Sequence, residues 1–280
     1  MPISLSAQKL SSIPPRPFLK WAGGKGRLLS QYAPYLPTDY QTYYEPFLGG
    51  GAIFFYLQPA QALLADVNPE LVNVYTCIRD HLQAVIEQLQ IHSAHHCQDY
   101  YYQMRSQLLT TPAQRAARLI YLNRTCFNGL YRENSQGQFN VPMGRYKNPK
   151  ICDPPLLQAV STALQTTRIK EQSFADMLDL AHSAQDFVYF DPPYHPISAT
   201  SDFTAYSRGA FTPADQEHLA HVFNVLAGRG VQVMLSNSDC PFIRELYRDY
   251  TIHQIQAARA INSNPHKRGK ITEVLITSWK

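Results

Sequence analysis

YYEPFLGGGAIFF at 43–55, followed by ALLAD at 62–66, decides the fold class. Residues 41–47 (QTYYEPF) read as a strand that runs into Gly49, Gly50 and Gly51. Glycines there let a ligand approach the backbone closely, and the short helix AIFFYL that follows presents free N–H groups. ALLAD is a second strand ending on Asp66, 17 residues after Gly49. A carboxylate at that place can accept hydrogen bonds from both ribose hydroxyls of an adenosine ligand. Strand, glycine turn, helix, strand and terminal acid are the opening of a nucleotide-binding α/β unit. The glycines do not follow G-x-G-x-x-G, so the nicotinamide fingerprint is not met. Upstream, Gly23, Gly24 and Gly26 bracket Lys25, but the spacing is not that of a Walker A loop.

Working outward, Asn68 can cap a helix with Pro69 at its first position. Leu71, Val74, Ile78, Leu82, Val85, Ile86 and Leu89 keep one helical stripe, and helical patterns continue to about Arg124, with polar turns such as 92–99. Residues 127–146 (FNGLYRENSQGQFNVPMGRY) change character, and Asn-Ser-Gln-Gly at their middle predicts a β-hairpin. A helix over 154–164, a strand DFVYF at 186–190, a polar loop over 195–210, a helix over 212–227 started by Thr212 or Asp215, and a buried strand at 230–239 follow. KITEVLITSW at 270–279 reads as a terminal strand with edge alternation. The α/β elements lie at both ends, with a helical middle inserted between them. The first 17 residues read as a loose arm.

Charge follows the same division. The 280 residues carry a net charge of +4, with 45% hydrophobic and 16% charged residues, a globular composition. Residues 101–150 hold eight basic residues and one acid, a net +7, which leaves the other 230 at −3. Tyr101, Tyr102, Tyr121, Phe127, Tyr131, Phe139 and Tyr146 are interleaved with them. Cations for phosphates and rings for bases are what a nucleic-acid surface needs. No apolar run approaches a membrane span of about 18 residues, and no signal peptide is legible at the start. Five scattered cysteines, never spaced C-x-x-C, fit a reducing, cytoplasmic setting. His92, His95, His96 and Cys97 imitate zinc-ligand spacing, but no second cluster completes four ligands, and the expectation is a surface helix end with no metal.

DPPY at 191–194 is the most specific tetrapeptide. Asp191 ends an apolar strand and therefore sits at the carboxyl edge of the sheet, where ligands of such sheets bind. Pro192 and Pro193 hold the following turn stiff and extended. An acceptor carboxylate, the Pro192 carbonyl and the flat ring of Tyr194 suit a planar base bearing an exocyclic amine.

The chain resembles the Dam-type (D12 class) DNA adenine-N6 methyltransferases over about residues 16–280. The resemblance rests on FLKWAGGKGRLL (18–29), YYEPFLGGGAIFF (43–55), ADVNPELVNVY (65–75), YLNRTCFNGLYRENSQGQFNVPMGRY (121–146), SFAD (173–176), VYFDPPY (188–194) and LSNSD (235–239), in the family's order. It implies a Rossmann-like methyltransferase sheet (1–68 and 156–280) with an inserted, mainly helical target-recognition domain (69–155) carrying the hairpin. It also implies S-adenosyl-L-methionine as cofactor, double-stranded DNA as partner, a monomer, and direct methyl transfer to a flipped-out adenine, with 5′-GATC-3′ as target. Trp21, Lys25, Phe47, Gly49, Gly51, Asp66, Ser173, Phe174 and Asp191 match cofactor positions. Asp191, Pro192 and Tyr194 match catalytic ones. Lys20, Phe127, Asn128, Leu130, Arg132, Pro142 and Tyr146 match positions that approach the target bases, with Arg132 suited to a bidentate guanine contact. Arg145, Lys267 and Arg268 would serve phosphates. The stretch Thr125-Cys126-Phe127 departs modestly from the family pattern. Asp before Pro-Pro-Tyr favours adenine over N4-cytosine methylation, which usually presents Ser, and over protein or RNA amine methylation, which usually presents Asn. A DNA-binding protein without catalysis is disfavoured by the intact Trp21, Lys25, Asp66 and Asp191, and a nicotinamide oxidoreductase by the missing fingerprint.

Overall fold

The structure is a computed structural model that describes residues 13–197, 211–258 and 270–280. Seven strands form one sheet: β1 (Thr42–Glu45), β2 (Ala62–Asp66), β3 (Thr167–Glu171), β4 (Asp186–Phe190), β5 (Gln232–Ser238), β6 (Thr251–Ala258) and β7 (Lys270–Thr277). Their order is β3-β2-β1-β4-β5-β7-β6. The first five pair in parallel, while β7 enters antiparallel between β5 and β6. This is the Rossmann-like sheet that the resemblance leads one to expect. The strand order reverses beside β1, which puts the β1 and β4 carboxyl ends at the crevice where such sheets bind ligands.

Side-chain alternation divides the core into two layers. Tyr43, Leu64, Phe187 and Tyr189 face one cluster with Ile53, Phe54, Leu71 and Val74. Tyr44, Leu63, Val188, Phe190, Val233 and Leu235 face the other, with Leu219, Phe223 and Leu226. Burial on both sides is why β4 reads as a continuous apolar run.

The helices are α1 (Leu29–Tyr32), α2 (Ala52–Leu57), α3 (Pro69–Asp80), α4 (Leu82–His95), α5 (Gln98–Ser106), α6 (Pro112–Thr125), α7 (Pro154–Leu164), α8 (Pro213–Gly228) and α9 (Pro241–Leu246). Asn68 caps α3, accepting from Glu70 N and Leu71 N. Thr212 and Asp215 form a reciprocal capping box at α8. The single stripe expected over 71–89 is two helices, because the chain leaves helical geometry at His81 (φ −134, ψ 34). The polar turn expected at 92–99 shrinks to His96 and Cys97, with His95 still in α4 and Gln98 opening α5.

Three strand expectations change. Strand β1 stops at Glu45, since Pro46 has no N–H to give a ladder. The terminal strand β7 is not an edge strand but lies between β5 and β6, and the polar β6 covers it. Residues 127–146 contain no regular strands. Their arms are joined antiparallel by two isolated bridges, Cys126 with Met143 and Glu133 with Phe139, around an Asn134–Gln138 turn. Positive φ at Asn128 and Gly129, and Pro142 in the returning arm, prevent a longer ladder.

Candidate active site

The glycine turn is tied to the end of β2. Leu48 N donates to Ala65 O at 2.9 Å. Asp66 bridges two turns, its Oδ2 accepting from Gly49 N at 3.2 Å and its Oδ1 from Asn68 N at 3.0 Å. Burial raises the Asp66 carboxyl, while the amides of Asn68, Gly49 and Val67 pull it back. Gly49 has φ +46, and a Cβ there would stand 2.9 Å from Trp21 Cδ1, so glycine is what lets the indole lie on the turn. Gly51 has φ +64 and opens α2. Beyond β3, Ser173 forms a capping box with Asp176, and the next residue, Phe174, stacks on Phe47 with centroids 5.6 Å apart. Trp21, Phe47, Gly49, Gly51, Asp66, Ser173 and Phe174 therefore line the carboxyl ends of β1, β2 and β3.

Asp191 directly follows β4. Lys25 Nζ lies 2.7 Å from its Oδ1, and Ser236 Oγ donates to the same oxygen at 2.7 Å. Tyr189 hydroxyl and Ser236 hydroxyl share a hydrogen bond of 2.9 Å behind it. Lys25 is buried, also donates to Gly23 O, and stands 4.8 Å from the centre of the Tyr194 ring. Tyr194 hydroxyl donates to Glu273 Oε2 at 2.9 Å. Side chains from α8 and β5 hold the backbone of this segment. Gln216 Nε2 donates to Pro193 O at 2.9 Å, and His195 N donates to Asn237 Oδ1 at 3.1 Å. The result is an oriented carboxylate beside a cation and an aromatic face, suited to receiving the N–H groups of a planar amine.

Sequence reasoning missed Glu45, Ser236, Glu273 and Asn123 as parts of this machinery. Glu45 is 2% exposed, and the Tyr43 hydroxyl donates to its Oε2 at 2.9 Å. Burial pushes its carboxyl up to about 8, the Tyr43 hydroxyl opposing and the Asp191 charge adding to the rise. A raised carboxyl stabilises the fold fully below its unfolded value near 4.5, and that contribution is lost as pH climbs through about 8. Glu45→Gln keeps the acceptor for Tyr43 and removes the titration. The variant should gain about 4 kcal/mol on the wild type between pH 5 and pH 8.5, read from urea unfolding at both values. A pH-independent difference would show that Glu45 does not titrate there.

A second group surrounds the antiparallel arm. Asn123 Oδ1 accepts from Lys20 N at 2.7 Å, and its Nδ2 donates to Lys20 O at 2.7 Å and Gly129 O at 3.1 Å. Lys20 Nζ then lies 3.9 Å from the Tyr146 ring centre. A buried Asn within the α6 stripe was the signal for this clamp. Arg132 Nε donates to Asn140 Oδ1 at 2.7 Å, which props the guanidinium on the exposed arm. Phe127 is 51% exposed, Asn128, Pro142 and Arg145 are exposed, and Leu130 is half-buried against the core. Trp21 stacks on Tyr131 at 5.3 Å and so links this arm to the glycine turn. Lys267, Arg268 and most of the 195–210 loop lie outside the described residues.

The histidine cluster is not a surface helix end throughout. His92 is buried, bonds the Tyr100 hydroxyl at 2.8 Å and is pushed down to about 4 by burial, while His96 bonds the Tyr121 hydroxyl at 3.0 Å. Among the described residues no group of three or more His, Cys, Asp or Glu could hold a metal ion. No described helix is long and apolar enough to cross a membrane. All five cysteines are free thiols.

Comparison with known proteins gives the family. The family model for D12 class N6 adenine-specific DNA methyltransferases matches residues 21–261. A type II methyltransferase, M1.LlaDCHI, of Lactococcus lactis subsp. cremoris is 45% identical over 272 residues, covering 94% of this chain and 95% of its own. The type II methyltransferase M.MjaIII of Methanocaldococcus jannaschii is 39% identical, covering 94% and 99%. A DNA adenine methylase of Escherichia coli strain K12 is 38% identical, covering 93% and 94%. The chain belongs to the D12 class of N6 adenine-specific DNA methyltransferases.

Proposed function

We propose that this enzyme uses S-adenosyl-L-methionine to methylate adenine N6 within 5′-GATC-3′ of double-stranded DNA, acting on a base flipped out of the helix. The observation that carries the reading is the Lys25–Asp191–Tyr194 constellation at the end of β4, beside the glycine turn and Asp66. The cofactor fits the residues present. Asp66 retains acceptor capacity on both oxygens for ribose hydroxyls, and Val67 beside it offers an apolar side chain that is 66% exposed. Trp21, Phe47, Gly49, Gly51, Ser173 and Phe174 complete the cradle. The donor, when bound, supplies an electrophilic methyl on a sulfonium.

The chain's own residues prepare the nucleophile. Adenine N6 is a weak one because its lone pair is delocalised into the ring. Asp191 and the Pro192 carbonyl accept its two N–H groups and draw the nitrogen toward tetrahedral geometry. The Asp191 Oδ1 already serves Lys25 and Ser236, so Oδ2 is the oxygen for the amine. Tyr194 stacks on the base, and flipping costs a few kcal/mol that these contacts offset. Alignment of N6 with the methyl supplies much of the acceleration.

Residues 69–155 supply most of the target recognition, and the remainder of the chain supplies the chemistry together with Lys20, Lys267 and Arg268. Lys20, Phe127, Asn128, Leu130, Arg132, Pro142 and Tyr146 approach the bases, with Arg145, Lys267 and Arg268 on phosphates. The exposed basic and aromatic side chains around the arm support this division, and the five free thiols suit a reducing intracellular setting. Arg132→Ala should relax discrimination at one guanine by about 1–3 kcal/mol. Competition between matched and substituted duplexes would measure it, and equal weakening on all sequences would reassign Arg132 to phosphate binding. The reading itself is tested by methylating a plasmid, then digesting it with GATC nucleases that are sensitive or indifferent to adenine methylation. Protection from the sensitive nuclease is expected. Unprotected GATC sites, with methyl incorporated elsewhere, would overturn the specificity.

A further inference from the structure

We propose that Glu273 is a positioning residue for methyl transfer, holding the Tyr194 ring at the orientation on which the target adenine stacks. The inference rests on the active site proposed above. The DPPY backbone is held by Gln216 on Pro193 O and by Asn237 on His195 N. Neither contact reaches the Tyr194 side chain, whose two rotatable bonds the prolines do not fix. The hydrogen bond from its hydroxyl to Glu273 Oε2, at 2.9 Å, anchors the far end of the ring. That bond is made across 79 residues of sequence. It exists because β7 enters antiparallel beside β5 in a register that sets Glu273 opposite Ser238, at the carboxyl edge of the parallel strands. The ring held in this way presents a face toward the Lys25 ammonium, 4.8 Å from its centre, while the same ammonium pairs with Asp191. One carboxylate on β7 thus fixes the stacking surface relative to the acceptor carboxylate after β4. Burial raises the Glu273 carboxyl, and the Lys25 ammonium and the Tyr194 hydroxyl draw it back toward its ionised form.

A stacking surface turned by even 1 Å carries N6 off line, and misplacement on that scale costs about 10²-fold in rate. The test is steady-state kinetics of the full chain on a GATC duplex, for wild type, Glu273→Ala, Glu273→Gln, Tyr194→Phe and the Tyr194→Phe/Glu273→Ala pair. In Glu273→Ala, kcat should fall about 10- to 100-fold, with KM for donor and for DNA nearly unchanged. Glu273→Gln keeps an oxygen for the hydroxyl and should return kcat to within about threefold of wild type. In the Tyr194→Phe background, where the donor is gone, Glu273→Ala should cost little more. Three results would overturn the proposal: an unchanged kcat in Glu273→Ala, a Gln variant as slow as the Ala variant, or losses that multiply in the double variant. A melting temperature lowered in Glu273→Ala with kcat intact would make Glu273 a strut of the sheet, which also overturns it. Wild-type protein that transfers no methyl to adenine would instead sink the underlying active-site reading, an outcome separate from any ratio among the variants.

Discussion

Asp191→Ala should lose methyl transfer by about 10²–10³-fold or more, the scale for removing one preorganised polar contact from a reacting group. DNA affinity should stay within about threefold, because phosphate and base contacts carry it. The loss has two parts. The target amine loses the acceptor that pulls its nitrogen out of conjugation. The buried Lys25 loses the partner at 2.7 Å, and the Ser236 and Tyr189 hydroxyls lose the end of their chain. Breaking such a pair also costs stability. With Asp191 20% exposed, we expect about 1–3 kcal/mol, below the range for fully buried pairs. Asp191→Asn separates the parts, since its amide oxygen still accepts one hydrogen bond while the charge facing Lys25 is gone. It should be impaired but measurable. Labelled-methyl transfer and duplex binding, with thermal melting as the folding control, decide the matter. Near-normal turnover in Asp191→Ala would remove the carboxylate from the mechanism.

Asp66→Ala should weaken binding of S-adenosyl-L-methionine by about 10²–10⁴-fold. Each hydrogen bond to a charged acceptor is worth about 1.5–3 kcal/mol, and two ribose hydroxyls converge on this carboxylate in the proposed site. The substitution also orphans Gly49 N and Asn68 N, the amides that Asp66 now ties together. The glycine turn then loosens under Trp21, which adds to the loss. The deficit should appear mainly in KM for the donor, with kcat at saturating donor recovering to within about tenfold, as expected when binding common to ground and transition states is removed. Titration calorimetry with the donor measures the dissociation constant directly. An unchanged constant would move ribose recognition elsewhere on the chain.

The legible parts of this fold were those with local causes. Asn68 before Pro69, Thr212 three residues before Asp215, and the strand that stops at Asp66 each act within a few residues. The cofactor and catalytic candidates lie together because most of them follow the carboxyl ends of the parallel strands β1 to β4. What stayed hidden depended on register or on broken patterns. Strand β3 reads TRIKE, with charged residues on both sides of its one apolar residue, Ile169, and half of β6 (TIHQIQAA) is polar, so neither announces itself as a strand. Glu273 meets Tyr194 only through the pairing of β7 with β5. Glu45 lay inside a quoted motif, but its burial follows from packing under α2 and could not be read from neighbours in sequence. The arm at 127–146 carried a correct turn signal at Asn134–Gly137, while Asn128, Gly129 and Pro142 broke the ladder the signal led us to expect.

The antiparallel entry of β7 also sets an order of events during synthesis. Strand β5 is buried along most of its length, yet one of its two neighbours is the last strand in chain order. As the chain leaves the ribosome, the parallel half can collapse while β5 keeps one apolar edge unpaired. Such an edge invites pairing with other nascent chains. Delivery of β7 closes that edge and brings Glu273 to Tyr194 in the same step, so one pairing event both covers the sheet edge and anchors the Tyr194 ring.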